Sequence, residues 1–127
     1  MGASSSTLHE PVEQLRPETP NLHRAIVSLI EELEAIDWYR QRADACSDDE
    51  LKAILEHNMN EEIEHASMTL EWIRRNVPKF GAALKLFLFT SGEITAIEDD
   101  TKEEKKEEIT TPERRSLRFT IGDMKGS

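Results

Sequence analysis

The chain is 127 residues long, a third of them charged, with a formal net charge of −10. That length suits one domain with a modest core, and the acidic balance excludes the basic footprint of a nucleic-acid binder while favouring the gathering of cations. The single cysteine, Cys46, excludes an intramolecular disulfide framework. No apolar run is long enough to span a bilayer and no signal-peptide pattern opens the sequence, so the expectation is a cytoplasmic protein with no membrane or nucleic-acid partner.

Residues 1–17 are polar, with Ser4-Ser5-Ser6 and two prolines, and read as a mobile N-terminal arm. Met1-Gly2 with Ser6 fits the loose myristoylation pattern, but no polybasic second anchor follows. Thr19-Pro20 predicts a helix start, the hydroxyl as N-cap and the proline at the first helical position. Leu22, Ile26, Leu29, Leu33 and Ile36 then recur at alternating steps of four and three, a coiled-coil-like seam. Beside it runs a stripe of Ala25, Ser28, Glu32, Ala35 and Tyr39. Glu32 thus sits among small residues next to the face expected to be buried. Either something pairs with it there, because an unpaired buried charge is costly, or it lies at the rim and reaches water.

Cys46-Ser47-Asp48-Asp49-Glu50 ends this helix and starts the next, with Ser47 and Glu50 spaced as a capping box and Asp48 and Asp49 at the positive end of the helix dipole. So short a connection predicts an antiparallel hairpin. The second helix is expected to run to about Asn76, before Pro78. Its apolar seam reads Met59, Ile63, Ala66, Leu70 and Ile73, flanked by a stripe of Leu55, Asn58, Glu62, His65, Thr69 and Trp72. Glu62 and His65 form a Glu-x-x-His step. Residues three apart share a helix face, so this carboxylate and imidazole can reach one metal ion together. The other reading of such a step is a solvated acidic face. Glu61 and Glu64 point elsewhere, and His57 reads as a surface residue.

Residues 78–89 carry Phe80, Leu84, Leu86, Phe87, Leu88 and Phe89, too apolar to remain in water, and predict a short third helix packed on the hairpin or on a partner chain. The helical domain is therefore expected over residues 18–97. Residues 98–115 are almost wholly charged at their start and carry no aromatic residue; they read as a disordered linker with at most transient helix. In residues 116–127, Leu117, Phe119 and Ile121 fall on one side of an extended strand, the pattern either of a docking peptide on a solvated tether or of a frayed end.

A carboxylate-bridged di-iron four-helix bundle takes a Glu from each of two helices and a Glu-x-x-His from each of the other two. This chain has one of each: Glu32, and Glu62 with His65. Two hairpins related by a two-fold axis would complete ligand set and bundle together. The expected fold is accordingly all-α: an antiparallel two-helix hairpin plus a short C-terminal helix, dimerising into a ferritin-like four-helix bundle.

The run from His23 to Tyr39, with Glu61-Glu62-Ile63-Glu64-His65-Ala66 and Thr69-Leu70-Glu71-Trp72-Ile73-Arg74-Arg75, closely resembles the encapsulated ferritins over about residues 9–97. The resemblance implies a two-helix protomer assembling into an open ring of dimers, with ferroxidase activity at a di-iron site shared by two chains. It places metal ligands at Glu32, Glu62 and His65, metal-entry carboxylates at Glu31 and Glu34, and an aromatic pair beside the site at Trp38 and Tyr39. Phe119-Thr120-Ile121-Gly122-Asp123-Met124-Lys125 resembles the encapsulin cargo-loading peptide, with Asp123 where that pattern has a small residue. The implied partner is an encapsulin shell, contacted through Leu117, Phe119, Ile121, Gly122 and Met124, inside which the ferric product is stored.

The reaction so implied is oxidation of Fe(II) to Fe(III) by dioxygen or peroxide. A rival from another class is a non-catalytic helical adaptor whose metal is structural, since zinc would bind similar ligands without redox chemistry. A peroxide-reducing enzyme of the rubrerythrin kind is disfavoured, because one cysteine cannot supply its cysteine-rich electron-transfer site.

Overall fold

The computed structural model describes residues 6–110, with side chains as far as residue 107. Four α-helices follow a short 3-10 turn at Val12–Gln14: α1 is Thr19–Ala45, α2 Asp49–Asn76, α3 Pro78–Phe87 and α4 Ile94–Thr110. The described residues are all-helical, without strands, as the periodicity predicts for a ferritin-like fold. They divide into two compact units that part within α3, between Ala82 and Ala83.

In the first unit α1 packs on α2. The pairing is antiparallel: Ala25 and Ser28 line one hollow with Thr69 and Trp72, while Arg40 and Ala43 line another with Glu56 and Met59. Both caps differ from expectation. Helix α1 starts one residue early, on Glu18, whose side chain makes no capping bond; Thr19 N bonds to Arg16 O and Leu22 N to Glu18 O instead. Pro20 falls where a missing N–H costs nothing. At α2 the cap is Asp48 rather than Ser47, its carboxylate accepting a 2.8 Å hydrogen bond from Leu51 N. A charged acceptor facing the helix's positive end makes the stronger cap.

The seam departs from the expected one at three positions, Ile26 and Leu33 on α1 and Ile63 on α2. Ile26 and Leu33 are 41% and 53% exposed, while their neighbours Ala25 and Glu32 are half-buried. On α2 Ile63 is 44% exposed, while Glu62 and Thr69 are half-buried and Ala66 and Ile73 are buried. Glu32 and Glu62 therefore take inner places expected for Leu33 and Ile63, while Leu22, Leu29, Ile36, Met59 and Leu70 stay half-buried and Ala66 and Ile73 buried, as expected of the apolar seam. Small and polar side chains share the seam between the helices with apolar ones; only Ala43, Ala66 and Ile73 are fully buried among the described residues. So few buried side chains make a thin core.

Val77 N closes α2 on Ile73 O, and Pro78 opens α3. Gly81 permits this immediate restart, because a Cβ there would lie 2.9 Å from Arg74 O. Beyond α3, Phe89 has φ 60° and is fully exposed, and Gly92 has φ 85°. Left-handed backbone of this kind ends a helix. The expected third helix is thus present, with Phe80, Leu88 and Phe89 exposed.

The second unit corrects the expectation of a disordered linker over residues 98–115: as far as Thr110, α4 is helical. Its glutamates and lysines are good helix formers, and no glycine or proline lies between Glu93 and Thr111. Lys102 pairs with Glu98 one turn back at 2.7 Å, which lowers the Glu98 carboxyl and raises the Lys102 amine from their ordinary values. Low hydrophobicity precludes a core here, but it does not preclude a solvated helix. In the expected N-terminal arm, Ser6 O lies 3.1 Å from His23 Nε2 on α1. The expected docking peptide at 116–127 lies outside the described residues. No helix among the described residues is long and apolar enough to cross a membrane.

Candidate metal centre

Glu32 lies mid-way along α1 on the face turned to α2. Its Oε2 is shielded from solvent and accepts no hydrogen bond from the described residues. Its Oε1 lies 3.4 Å from Thr69 Oγ1 on α2, a long hydrogen bond. The Thr69 hydroxyl is also 3.1 Å from the carbonyl of His65, one turn back. The contact across the hairpin thus sets Glu32 opposite Thr69, a residue one helical turn beyond His65 on α2.

Glu62 and His65 stand on the same face of α2, as their spacing predicts. Glu62 Oε2 and His65 Nδ1 are 3.6 Å apart, within reach of an ion pair but too far for a hydrogen bond. Their side chains are 27% and 45% exposed. Among the ion pairs of the described residues, none joins a lysine or arginine to Glu32 or Glu62. The nearby cations on α2 are engaged elsewhere: Arg74 and Arg75 both donate to Glu71, at 2.5 to 2.8 Å. Those hydrogen bonds, Arg74's first, hold the Glu71 carboxyl down at about 2.

A sheltered carboxylate oxygen without a donor is costly as it stands. A cation would remove that cost. Carboxylate oxygens with one imidazole nitrogen are a donor set suited to iron. The residues therefore fit a metal ion, yet among the described residues no group of three or more His, Cys, Asp or Glu side chains is gathered closely enough to hold one. One hairpin presents ligands without enclosing a site.

The other residues singled out in the sequence lie around this cluster. Tyr39 is half-buried two turns beyond Glu32, and the Arg42 guanidinium sits 5.6 Å above its ring. Trp38 is exposed, as are Glu31 and Glu34 on the outer side of α1. His57 is exposed and lies 3.7 Å from Glu61. Sequence reasoning placed Thr69 on the right stripe but gave it no role. Its position four residues after His65 is the signal that could have found it.

Comparison with known proteins adds the lineage. The EncFtn-like family model matches residues 7–91, which span α1, α2 and α3. The chain belongs to the EncFtn-like family. It is similar to the encapsulated ferritin-like protein of Rhodospirillum rubrum, 62% identical over 98 residues, covering 77% of this chain and 70% of that one. It is also similar to a ferritin-like protein of Thermotoga maritima, 50% identical over 93 residues, 73% of this chain and 82% of that one. An encapsulin nanocompartment cargo protein of Myxococcus xanthus is 32% identical over 129 aligned residues, covering 95% of this chain and 97% of its own length. Among solved structures, a crystal structure of a Nitrosomonas europaea protein matches with a TM-score of 0.66 and 59% identity, over 68% of this chain and 96% of that one. The resemblance read from the helix motifs is thereby the family the comparisons give.

Proposed function

We propose that two copies of this EncFtn-like chain build a shared carboxylate–imidazole centre that oxidises Fe(II) to Fe(III), and that the protein does so as cargo of an encapsulin shell. The observation that carries the reading is Glu32: a carboxylate on the inner face of the hairpin, with one oxygen sheltered and without a hydrogen-bond donor among the described residues, facing Thr69 one turn beyond His65. One chain supplies half of the four-Glu, two-His set of a di-iron bundle. Ile26, Leu33, Ile63 and Met68 leave an apolar surface beside it for the second copy. The resemblance implies that such dimers close into a ring.

Fe(II) is the substrate. Two Fe(II) ions give up one electron each; dioxygen takes both, with two protons, to leave hydrogen peroxide, or peroxide takes the same two electrons and two protons to leave two waters. In this reading Glu62 is shared between the irons, and Glu32 and His65 complete the coordination of each. Carboxylate oxygen is the hard donor that favours Fe(III), and the imidazole helps to hold Fe(II). Glu31 and Glu34, exposed on α1, draw cations towards the centre, as does the net charge of −10. Tyr39 stands as a hydrogen-bonding group near the metals. Leu117, Phe119, Ile121, Gly122 and Met124 dock on the shell, a role supported by the near-complete alignment with the Myxococcus xanthus cargo protein.

The test is aerobic Fe(II) oxidation by the assembled protein beside Glu32→Ala and His65→Ala. Saturable turnover is expected, with most of it lost in both variants and about one iron bound per chain, as a shared site requires. Oxidation no faster than in buffer would replace the enzyme with a non-catalytic adaptor carrying a structural metal. Turnover surviving both substitutions would put the metals elsewhere.

A further inference from the structure

The Thr69 hydroxyl faces two acceptors and has one hydrogen to give. Its first acceptor, the His65 carbonyl at 3.1 Å, is also the ordinary α-helical partner of the Thr69 backbone N–H. That carbonyl thus has a donor without the hydroxyl, although its second lone pair can still accept one. Its second acceptor, Glu32 Oε1 at 3.4 Å, has no other donor among the described residues and carries charge. Hydrogen bonds to a charged acceptor are the stronger ones. The hydroxyl thus has more to gain from Glu32 than from its own helix.

We infer that Thr69 is a positioning residue for Glu32: it ties Oε1 to α2 and leaves Oε2 as the single oxygen offered to a metal. This rests on the reading of Glu32 as a ligand and goes beyond it, by assigning the two oxygens different tasks. It accounts for two observations at once. Oε2 is the atom without a partner, while Oε1 has one. The tie also crosses the hairpin, and it reaches α2 one turn beyond His65, so the ligands of the two helices are held in one frame. Groups that orient a metal's ligands through a hydrogen bond change metal affinity by about 10- to 100-fold when removed.

The experiment titrates cobalt(II) into the metal-free assembled protein and follows the visible ligand-field absorption, with wild type, Glu32→Ala, Thr69→Val and Thr69→Ser in parallel. Valine keeps the shape of threonine and loses the hydroxyl; serine keeps the hydroxyl. Thermal unfolding of each metal-free variant is recorded beside it. The expected result is cobalt binding weakened about 10- to 100-fold in Thr69→Val, an altered absorption envelope, and serine restoring both. Equal affinity and equal spectra for wild type and Thr69→Val, with Glu32→Ala defective, would overturn the positioning role while leaving Glu32 a ligand. Serine failing as badly as valine would also overturn it, since the hydroxyl would then not be what matters. Equal binding by wild type and Glu32→Ala would instead remove the underlying site. A Thr69→Val protein that melts like wild type yet binds cobalt poorly separates positioning from a merely structural role.

Discussion

Replacing Glu32 by methionine should make the metal-free protein more stable and the metal-loaded protein less so. Methionine has nearly the volume of glutamate, so the seam between α1 and α2 keeps its packing. The change removes a carboxylate whose Oε2 is sheltered and unpaired. An unsatisfied buried polar group costs about 1–3 kcal/mol, and more when charged. The Thr69 hydroxyl loses one acceptor but keeps the His65 carbonyl at 3.1 Å, so no new orphan is created. The metal-free variant should therefore gain about 1–3 kcal/mol per chain. At about 4–8 °C per kcal/mol for a domain of 60–100 residues, that is a rise of several degrees or more in Tm. Metal acts in the opposite sense. At 100 times its Kd, a ligand binding only the folded state adds about 2.7 kcal/mol, and the variant should forfeit that. Calorimetry of both proteins at one chain concentration, with and without cobalt(II), gives four melting temperatures whose order should invert on adding metal. A metal-free variant less stable than wild type would refute the claim that Glu32 is held at a cost. A variant gaining as much from cobalt as wild type would refute Glu32 as a ligand.

Leu33→Asp, on the exposed apolar side of α1, should lower the assembly mass measured by sedimentation equilibrium without reducing helicity; an unchanged mass would remove that face from the interface. Asp48→Ala should cost about 1 kcal/mol, the worth of a lost N-cap, whereas Ser47→Ala should cost little; the reverse order in urea unfolding would restore Ser47 as the cap. Glu71 makes the acid limb pH-dependent. Its folded carboxyl is held at about 2 against an ordinary 4.5, so its contribution is fully present above pH 4.5 and is lost as pH falls towards 2. Glu71→Gln should flatten the decline in urea midpoint over that window, and an unaltered slope would show that Arg74 and Arg75 do not act through it.

Several features were legible because they are local. One stretch without glycine or proline, residues 21–77, divided by the cap signal at residues 46–50, predicted α1 and α2, and so short a link could only return the chain as a hairpin. The Glu62–His65 pairing followed from helical pitch, which no tertiary context alters. The disordered reading of residues 98–115 gave way to α4 because low hydrophobicity argues against a core, while helix formation asks only for propensity and pairs such as Glu98–Lys102.

What residue order left open was rotation. On α1, the line 22-26-29-33-36 and the line 22-25-29-32-36 both keep helical spacing and share Leu22, Leu29 and Ile36. The rule that apolar residues go inside chose Ile26 and Leu33; the fold placed Ala25 and Glu32 on the inner side instead. On α2 the seam kept Met59, Ala66, Leu70 and Ile73 and exchanged only Ile63 for Glu62. A helix with two adjacent faces to cover does not record in its own periodicity which neighbour each face meets. That is decided by the packing of α1 on α2, where small and polar side chains let the helices meet and Thr69 comes within reach of Glu32. Sequence alone thus determined the helices and the carboxylate and imidazole side chains they carry. Only the tertiary structure decided that Glu32 turns inward, because burial and a contact between residues 37 apart belong to the pair of helices and to neither alone.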